Sequence, residues 1–360
     1  MTTKLFTTMV AAGISLAVAL SACGGSAARP AAITRTNRPA ASVTATTPSV
    51  GSPSLLPPPS GPYAVGVRSV PGVSPDATTR LWYPARRGPG TGTIEYIDHA
   101  TASDLGLSPG QLDDVTVRAT VDPAPAPAGM PRPAVVLMPG WGNPMAVSTA
   151  LAQDLASNGY VVVAVDPTSG TEDRNSMPAD AARPARRLEQ VAAALDFATG
   201  PDIDALAGPV EANRIAVGGH SIAGAVAFQV ALTDPRVHAV FDLDGWLHGP
   251  ALTTPVKVPA LAVDASGLDP DSKAVIARTA HAVTVHLAGA THLDVTDLPC
   301  LVPALGSMAP LLRLGSIGCT GTTTSTTVVR RFLDAVLTRG GPTPGPALLT
   351  AGLKGLAKPR

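Results

Sequence analysis

The sequence predicts an α/β domain built on a mostly parallel sheet with an antiparallel opening, and three patterns predict it. From Ala134 onward, short apolar runs (AVVLMPG, YVVVAVDP, RIAVGGHS, VHAVFDLDG, ALAVDAS, AVTVHLAG) alternate with helical stretches, as strands do when crossover helices bury both faces of a sheet. Between Gly61 and Val121, shorter β-branched runs are bounded by Gly, Pro or Asp, the mark of antiparallel strands. One apolar run, Arg214–Gly218, passes through Gly219-His220-Ser221-Ile222-Ala223-Gly224 directly into a helical pattern, a sharp strand-to-helix turn centred on a serine.

The elements follow in chain order. Residues 1–22 read as a secretory signal: Lys4 precedes an apolar stretch, Met9 to Leu20, too short for a permanent membrane span. The end of that stretch, Leu20-Ser21-Ala22-Cys23-Gly24, resembles a bacterial lipobox, which makes Cys23 the expected site of lipidation and the membrane a partner through this anchor. Two or three acyl chains at about 0.8 kcal/mol per buried methylene hold such an anchor stably. Residues 23–60, rich in Ala, Ser, Thr and Pro, bring too little apolar surface to build a core and read as a disordered tether. The folded domain is expected over 61–340, opening with strands at Tyr63–Val70, Thr79–Tyr83, Thr93–Ile97 and Val115–Val121. Helices are expected near Ala146–Ser157, Ala182–Ala198, Ile222–Thr233, Asp271–Ala280 and Thr327–Thr338. Residues 341–360, rich in Gly, Pro and Ala, read as a flexible tail.

Charge narrows the partners. Lys plus Arg equals Asp plus Glu at 26 each, and charged residues are 14% of the chain, against about 25% in average soluble domains. No basic cluster interrupts this balance, so nucleic acid is not an expected partner, and a small neutral or lipid-like substrate is. With Cys23 assigned to lipidation, Cys300 and Cys319 remain as an even pair in a chain expected to leave the reducing cytoplasm, and they are expected to form a disulfide.

The turn at Ser221 carries the chemistry. A strained strand-to-helix turn lifts the hydroxyl above the sheet and tolerates only small neighbours, which Gly219, Ala223 and Gly224 supply. A serine hydroxyl is a poor nucleophile near neutral pH and needs a histidine base, itself oriented by a carboxylate. Among seven histidines, His292 in AGATHLD falls in a loop just after an apolar strand, where this arrangement places the base. The acid has two possible positions: Asp244 in FDLDGWLHG, after the strand that follows the turn helix, or Asp264 and Asp269 in AVDASGLDPDS, one strand later. Spacing alone leaves that choice open, and Asp242, inside the strand run, is expected to face away from the site. Serine, acid and histidine in this order on this element pattern predict an α/β-hydrolase fold.

Several linked motifs in order, GPYAVGVRSV, TRLWYPA, VVLMPGWG, LASNGYVVVAVD, GHSIAG, LDGWL and THLD, make residues 61–300 similar to the plasma-type platelet-activating-factor acetylhydrolase family and its bacterial relatives. The resemblance implies Asp244 as the acid and a carboxylic ester hydrolase activity on lipid-like or short to medium acyl esters. Tetrahedral intermediates need two hydrogen-bond donors aimed at the oxyanion. The backbone amides of Ile222 and of Trp141, in the loop Pro139-Gly140-Trp141-Gly142, are the candidates. That loop departs from the His-Gly usual in such relatives. Trp141, Trp246 and Leu247 are expected to wall the substrate pocket, with Trp246 expected as a core aromatic more than as a substrate contact. This chemistry requires no metal and no organic cofactor. Two other readings fit the same residues: a secreted polyester or cutin-type hydrolase, and a non-catalytic binding lipoprotein of the envelope. Oligomeric state is not legible.

Overall fold

The computed structural model describes residues 55–74, 76–88, 90–167, 185–338 and 358–359. The signal segment, Cys23 and most of the tether and tail lie outside these residues. The strands are β1 (Ala64–Ser69), β2 (Thr78–Ala85), β3 (Gly92–Thr93), β4 (Thr120–Val121), β5 (Arg132–Met138), β6 (Val161–Asp166), β7 (Val210–His220), β8 (Ala239–Leu243), β9 (Ala260–Asp264), β10 (Ala282–His286) and β11 (Lys358–Pro359). They form one sheet in the order β11-β10-β9-β8-β7-β5-β6-β2-β1-β4-β3. From β6 to β10 every neighbouring pair is parallel, while β2 joins β6 and β1 joins β2 antiparallel. The body is parallel and the opening mostly antiparallel, as the sequence pattern predicts, except that β4 joins β1 parallel.

The helices are α1 (His99–Asp104), α2 (Thr149–Ser157), α3 (Ala185–Ala198), α4 (Asp202–Ala207), α5 (Ile222–Val230), α6 (Pro270–Arg278), α7 (Leu298–Leu305) and α8 (Thr320–Leu333). They cover two faces because the strands alternate. Val135 and Leu137 of β5 pack in the core that holds Leu151 and Leu155 of α2 and Val328 and Phe332 of α8. Ala134, Val136 and Met138 pack in the opposite core, with Val191 and Leu195 of α3 and Val226 and Phe228 of α5. Side chains of period two on a strand leave no polar face when both faces are buried, which is why these runs read as continuously apolar.

Four boundaries differ from the sequence expectation, each for a tertiary reason. The folded part begins before Gly61: Leu56 lies in the core at 2% exposure, and Ser60 and Gly61 donate their amides to Asp154 and Ser157 on α2. The strands expected at Thr93–Ile97 and Val115–Val121 shrink to two residues each, since only Gly92–Thr93 and Thr120–Val121 find partners. Tyr96 is instead drawn inward, at 3% exposure, with its hydroxyl 3.4 Å from Asp297. α8 starts at Thr320 rather than Thr327, although the TGTTTSTT run is poor in helix propensity. Burial compensates: Thr322 and Ser325 donate their hydroxyls to the Thr296 and Val295 carbonyls at 2.6 and 3.3 Å. In the tail, Lys358–Pro359 pair antiparallel with β10.

Cys300 and Cys319 form a disulfide, with a Cα–Cα distance of 4.4 Å and a sequence separation of 19. It joins α7 to the start of α8. Closing a loop of this length restricts the unfolded chain, so reduction is expected to lower stability by about 3 kcal/mol at 25 °C. Urea denaturation with and without a reductant measures this, and a Cys300→Ala/Cys319→Ala double variant should match the reduced protein.

Candidate active site

The site lies at the carboxyl ends of the parallel strands, beside the point where the order of β5, β6 and β7 reverses, which is where open α/β sheets leave a crevice. Register sets its parts. Met138, the last residue of β5, pairs with Gly219 on β7, and His220 pairs with Leu243, the last residue of β8. Ser221 follows directly, with φ 60° and ψ −125°, and begins α5 as its N-cap. A serine held at positive φ is strained by roughly 1–3 kcal/mol, and the surroundings over-determine it. Its amide donates to the Leu243 carbonyl at 3.0 Å and its own carbonyl accepts from Gly224 at 3.0 Å. Gly219 has φ 159°, and a Cβ there would collide with the Met138 carbonyl and the Ala223 methyl. The turn thus accepts Ala223 but requires glycine at 219.

Three side chains converge on this turn. The His292 Nδ1–H donates to Asp244 Oδ2 at 2.9 Å, and the Ser221 hydroxyl donates to His292 Nε2 at 3.1 Å. The tautomer follows from the acid, because an ionised carboxylate only accepts. Burial would raise the Asp244 carboxyl. Hydrogen bonds from His292 and Ser266 outweigh it and hold the pKa down at about 2. Ala265 and Ser266 donate their amides to Asp244 Oδ1 at 2.6 and 2.8 Å, and the Ser266 hydroxyl donates to Oδ2 at 2.6 Å. A carboxylate with all these donors is locked in orientation as well as in charge.

The other acids have different duties. Asp264 Oδ1 accepts from the Gly267 amide at 2.7 Å and Oδ2 from His286 Nδ1–H at 3.0 Å, bracing the loop that carries Ala265 and Ser266. Asp269 caps α6, accepting from the Asp271 and Ser272 amides. Asp242, two residues earlier, would share a face with Asp244 on a regular strand; the chain leaves the strand at Asp244, with φ 53°, and Asp242 lies in a fully buried site. There Oδ2 accepts from the Gly245 amide at 3.0 Å, and Oδ1 has no hydrogen-bond partner. Burial pushes its carboxyl well above the usual range; the Gly245 amide opposes this, and the carboxylates of Asp244, Asp269 and Asp264 add to it. A carboxyl whose folded-state pKa is raised contributes stability while protonated and loses it as pH rises through that value. Asp242→Asn is therefore expected to raise the melting temperature at pH 9 by a few degrees and to leave it nearly unchanged at pH 4, as thermal scans at the two pH values will show.

The histidine loop is pinned from behind. Asp294 Oδ2 accepts from the Thr291 amide, the Thr291 hydroxyl and the Gly315 amide at 2.6, 2.8 and 2.6 Å. His220 supports the same loop: its Nε2–H donates to the His292 carbonyl at 2.9 Å, with the two rings 4.5 Å apart. Burial, and next the charge of His292, hold the His220 ring pKa down at about 3, so it stays neutral. Sequence reasoning assigned no role to His220, Ser266 or Asp294. Asp294 stands in the THLD motif and His220 in GHSIAG, which were the available signals.

Ile222 is the first residue of α5, and the first-turn amides of a helix have no intrahelical acceptor and carry its positive end. Trp141 sits in the loop leaving β5. The expected pocket wall is corrected in two places. Leu247 is fully buried in the core beside α5, with its amide donating to Ser272 Oγ at 2.8 Å, so it cannot line a pocket. Trp246 is 51% exposed, its ring 4.7 Å from that of His248, and is a surface aromatic rather than a core one. Leu247 is buried and its neighbour Trp246 exposed, two residues from Asp244.

This geometry agrees with what the chain resembles. A solved ferulic acid esterase from Streptomyces cinnamoneus superposes with a TM-score of 0.68 at 27% identity, over 80% of this chain and 94% of that one. The chain has an α/β-hydrolase fold. Within that hydrolase fold, residues 123–288 match a family model described as PETase, PET hydrolase-like. Cutinase 2 of Thermobifida cellulosilytica is 31% identical over 132 residues, 37% of this chain and 46% of that protein. The bis(hydroxyethyl) terephthalate hydrolase of Streptomyces coelicolor is 32% identical over 128 residues, 35% of this chain and 37% of that protein. The chain spans less than half the length of these curated relatives. They favour the polyester and cutin reading of this hydrolase fold over the platelet-activating-factor acetylhydrolase reading.

Proposed function

We propose that the protein is a serine-dependent carboxylic ester hydrolase acting on cutin-like, polyester or aromatic esters. The carrying observation is the relay Ser221–His292–Asp244, with its two hydrogen bonds of 3.1 and 2.9 Å. In this reading His292 takes the Ser221 proton as Oγ attacks the ester carbonyl, forming a tetrahedral oxyanion held by the Ile222 and Trp141 amides. His292 then gives that proton to the leaving alkoxide. Water, deprotonated by the same imidazole, attacks the acyl-enzyme and releases the acid. The half-exposed Trp246, two residues past Asp244 in the chain, supplies a flat apolar surface, which suits an aromatic or extended acid component better than a buried acyl tunnel would. Export and a lipid anchor on Cys23 belong to the same proposal, which would hold the site at the outer face of the membrane. The test is a panel of bis(hydroxyethyl) terephthalate, a feruloyl ester, polyester film, p-nitrophenyl esters of rising chain length and a short-acyl phospholipid. Preference for the first three supports the reading, and preference for the phospholipid overturns it in favour of the lipid-ester alternative.

A further inference from the structure

Arg187 is the bulkiest fully buried side chain among the described residues, at 1% exposure. It rises from α3 to the loop that leaves β5, where Nη1–H donates to the Pro139 carbonyl at 2.5 Å and Nη2–H to the Gly140 carbonyl at 3.1 Å. The guanidinium also lies 5.7 Å from the centre of the Trp141 ring. The Gly140 carbonyl and the Trp141 N–H belong to one planar peptide unit. A charged donor on that carbonyl therefore fixes the plane in which the N–H points, and it polarises the amide so that the N–H becomes a stronger donor. A guanidinium offers donors in a rigid fork, which suits two adjacent carbonyls in a way a lysine ammonium does not. The other side of the loop is closed by His220: a Cβ on Gly140 would come within 2.6 Å of His220 Nδ1. The loop is thus held between Arg187 and the histidine that anchors the His292 carbonyl. Burying an arginine costs several kcal/mol before its hydrogen bonds are counted, and such a charge kept at a site is expected to act there.

We propose that Arg187 is a positioning residue for the oxyanion hole: its fork across the Pro139 and Gly140 carbonyls orients and strengthens the Trp141 amide as a donor to the tetrahedral intermediate. The inference rests on the ester hydrolase reading for its kinetic consequence. Its structural content, that Arg187 sets the Gly140–Trp141 peptide, can be measured without turnover. The chain has three tryptophans, so selective 15N-tryptophan labelling yields three backbone amide resonances. In Arg187→Met the Trp141 amide is expected to shift and to exchange faster with solvent, with Arg187→Lys intermediate and the other two tryptophans unmoved. On a soluble ester, kcat is expected to fall by about 10–100-fold in Arg187→Met, less than for loss of a donor outright, with KM within twofold and partial recovery in Arg187→Lys. A boronic acid, which mimics the tetrahedral state, should lose affinity by the same factor as kcat/KM, while the product acid binds as before. An unmoved Trp141 resonance in both variants, or equal losses for boronate and product acid, would overturn the proposal. Should Arg187→Met fail to fold, Arg187→Lys carries every comparison. If the wild-type protein turns over no ester while its Trp141 resonance responds to Arg187, the hydrolase reading fails and the positioning role stands.

Discussion

Ser221→Ala is expected to lower kcat on a p-nitrophenyl ester by about a million-fold and to abolish labelling by a fluorophosphonate, with no loss of folded protein. The size follows from the relay acting as a unit. Without Oγ, His292 and the oxyanion amides can act only on water, which nothing in the turn holds in the attacking position. Folding should survive, because alanine keeps the same Cβ at φ 60° and the Ser221 side chain makes no cap hydrogen bond to α5. Removing the hydroxyl therefore takes nothing from the helix. Intact-mass spectrometry after fluorophosphonate treatment reads the labelling, and steady-state kinetics read the rate. A variant keeping more than a hundredth of the wild-type rate, or a label found on another residue, would move the nucleophile elsewhere.

Asp244→Asn should cost about ten-thousand-fold in kcat through a change of tautomer rather than of shape. The Ala265 and Ser266 amides that bind Asp244 Oδ1 would hold the asparagine carbonyl oxygen in the same place. The amide nitrogen then faces His292 Nδ1 and the Ser266 hydroxyl, both now donors to a donor, and the imidazole flips to the form with its proton on Nε2. That form cannot accept from Ser221. The same substitution separates two contributions by pH. Asp244, held at about 2, below the ordinary carboxylate value of 3.8, contributes stability that is present above pH 3.8 and lost as pH falls through about 2. The stability difference between wild type and variant should therefore be constant from pH 5 to 8 and close below pH 3. Chemical denaturation over that range, beside kcat at pH 7 and 9, distinguishes loss of an orienting carboxylate from loss of the fold. Full turnover by Asp244→Asn would show that Asp244 does not orient the base.

The chain's own pattern determined the fold and placed the candidate nucleophile and base. Runs buried on both faces must be apolar throughout, so the parallel strands were legible from Ala134 to Leu287, and a serine flanked by small residues between strand and helix can hardly be anything but a strained turn. His292 was legible for the same reason, as a polar residue just past the end of an apolar strand. Spacing left open which carboxylate faces it; the family resemblance pointed to Asp244, and the fold gives the physical reason. Asp244, Asp264 and Asp269 all stand at or just past the carboxyl ends of neighbouring strands, and only the neighbouring loop, with the amides of Ala265 and Ser266, aims one of them at the imidazole while the others brace a turn and cap a helix. The outward turn of Trp246, the inward turn of Leu247 and the arginine beneath the Trp141 loop were hidden likewise. Each depends on contacts between residues far apart in the chain, and local periodicity carries no record of those.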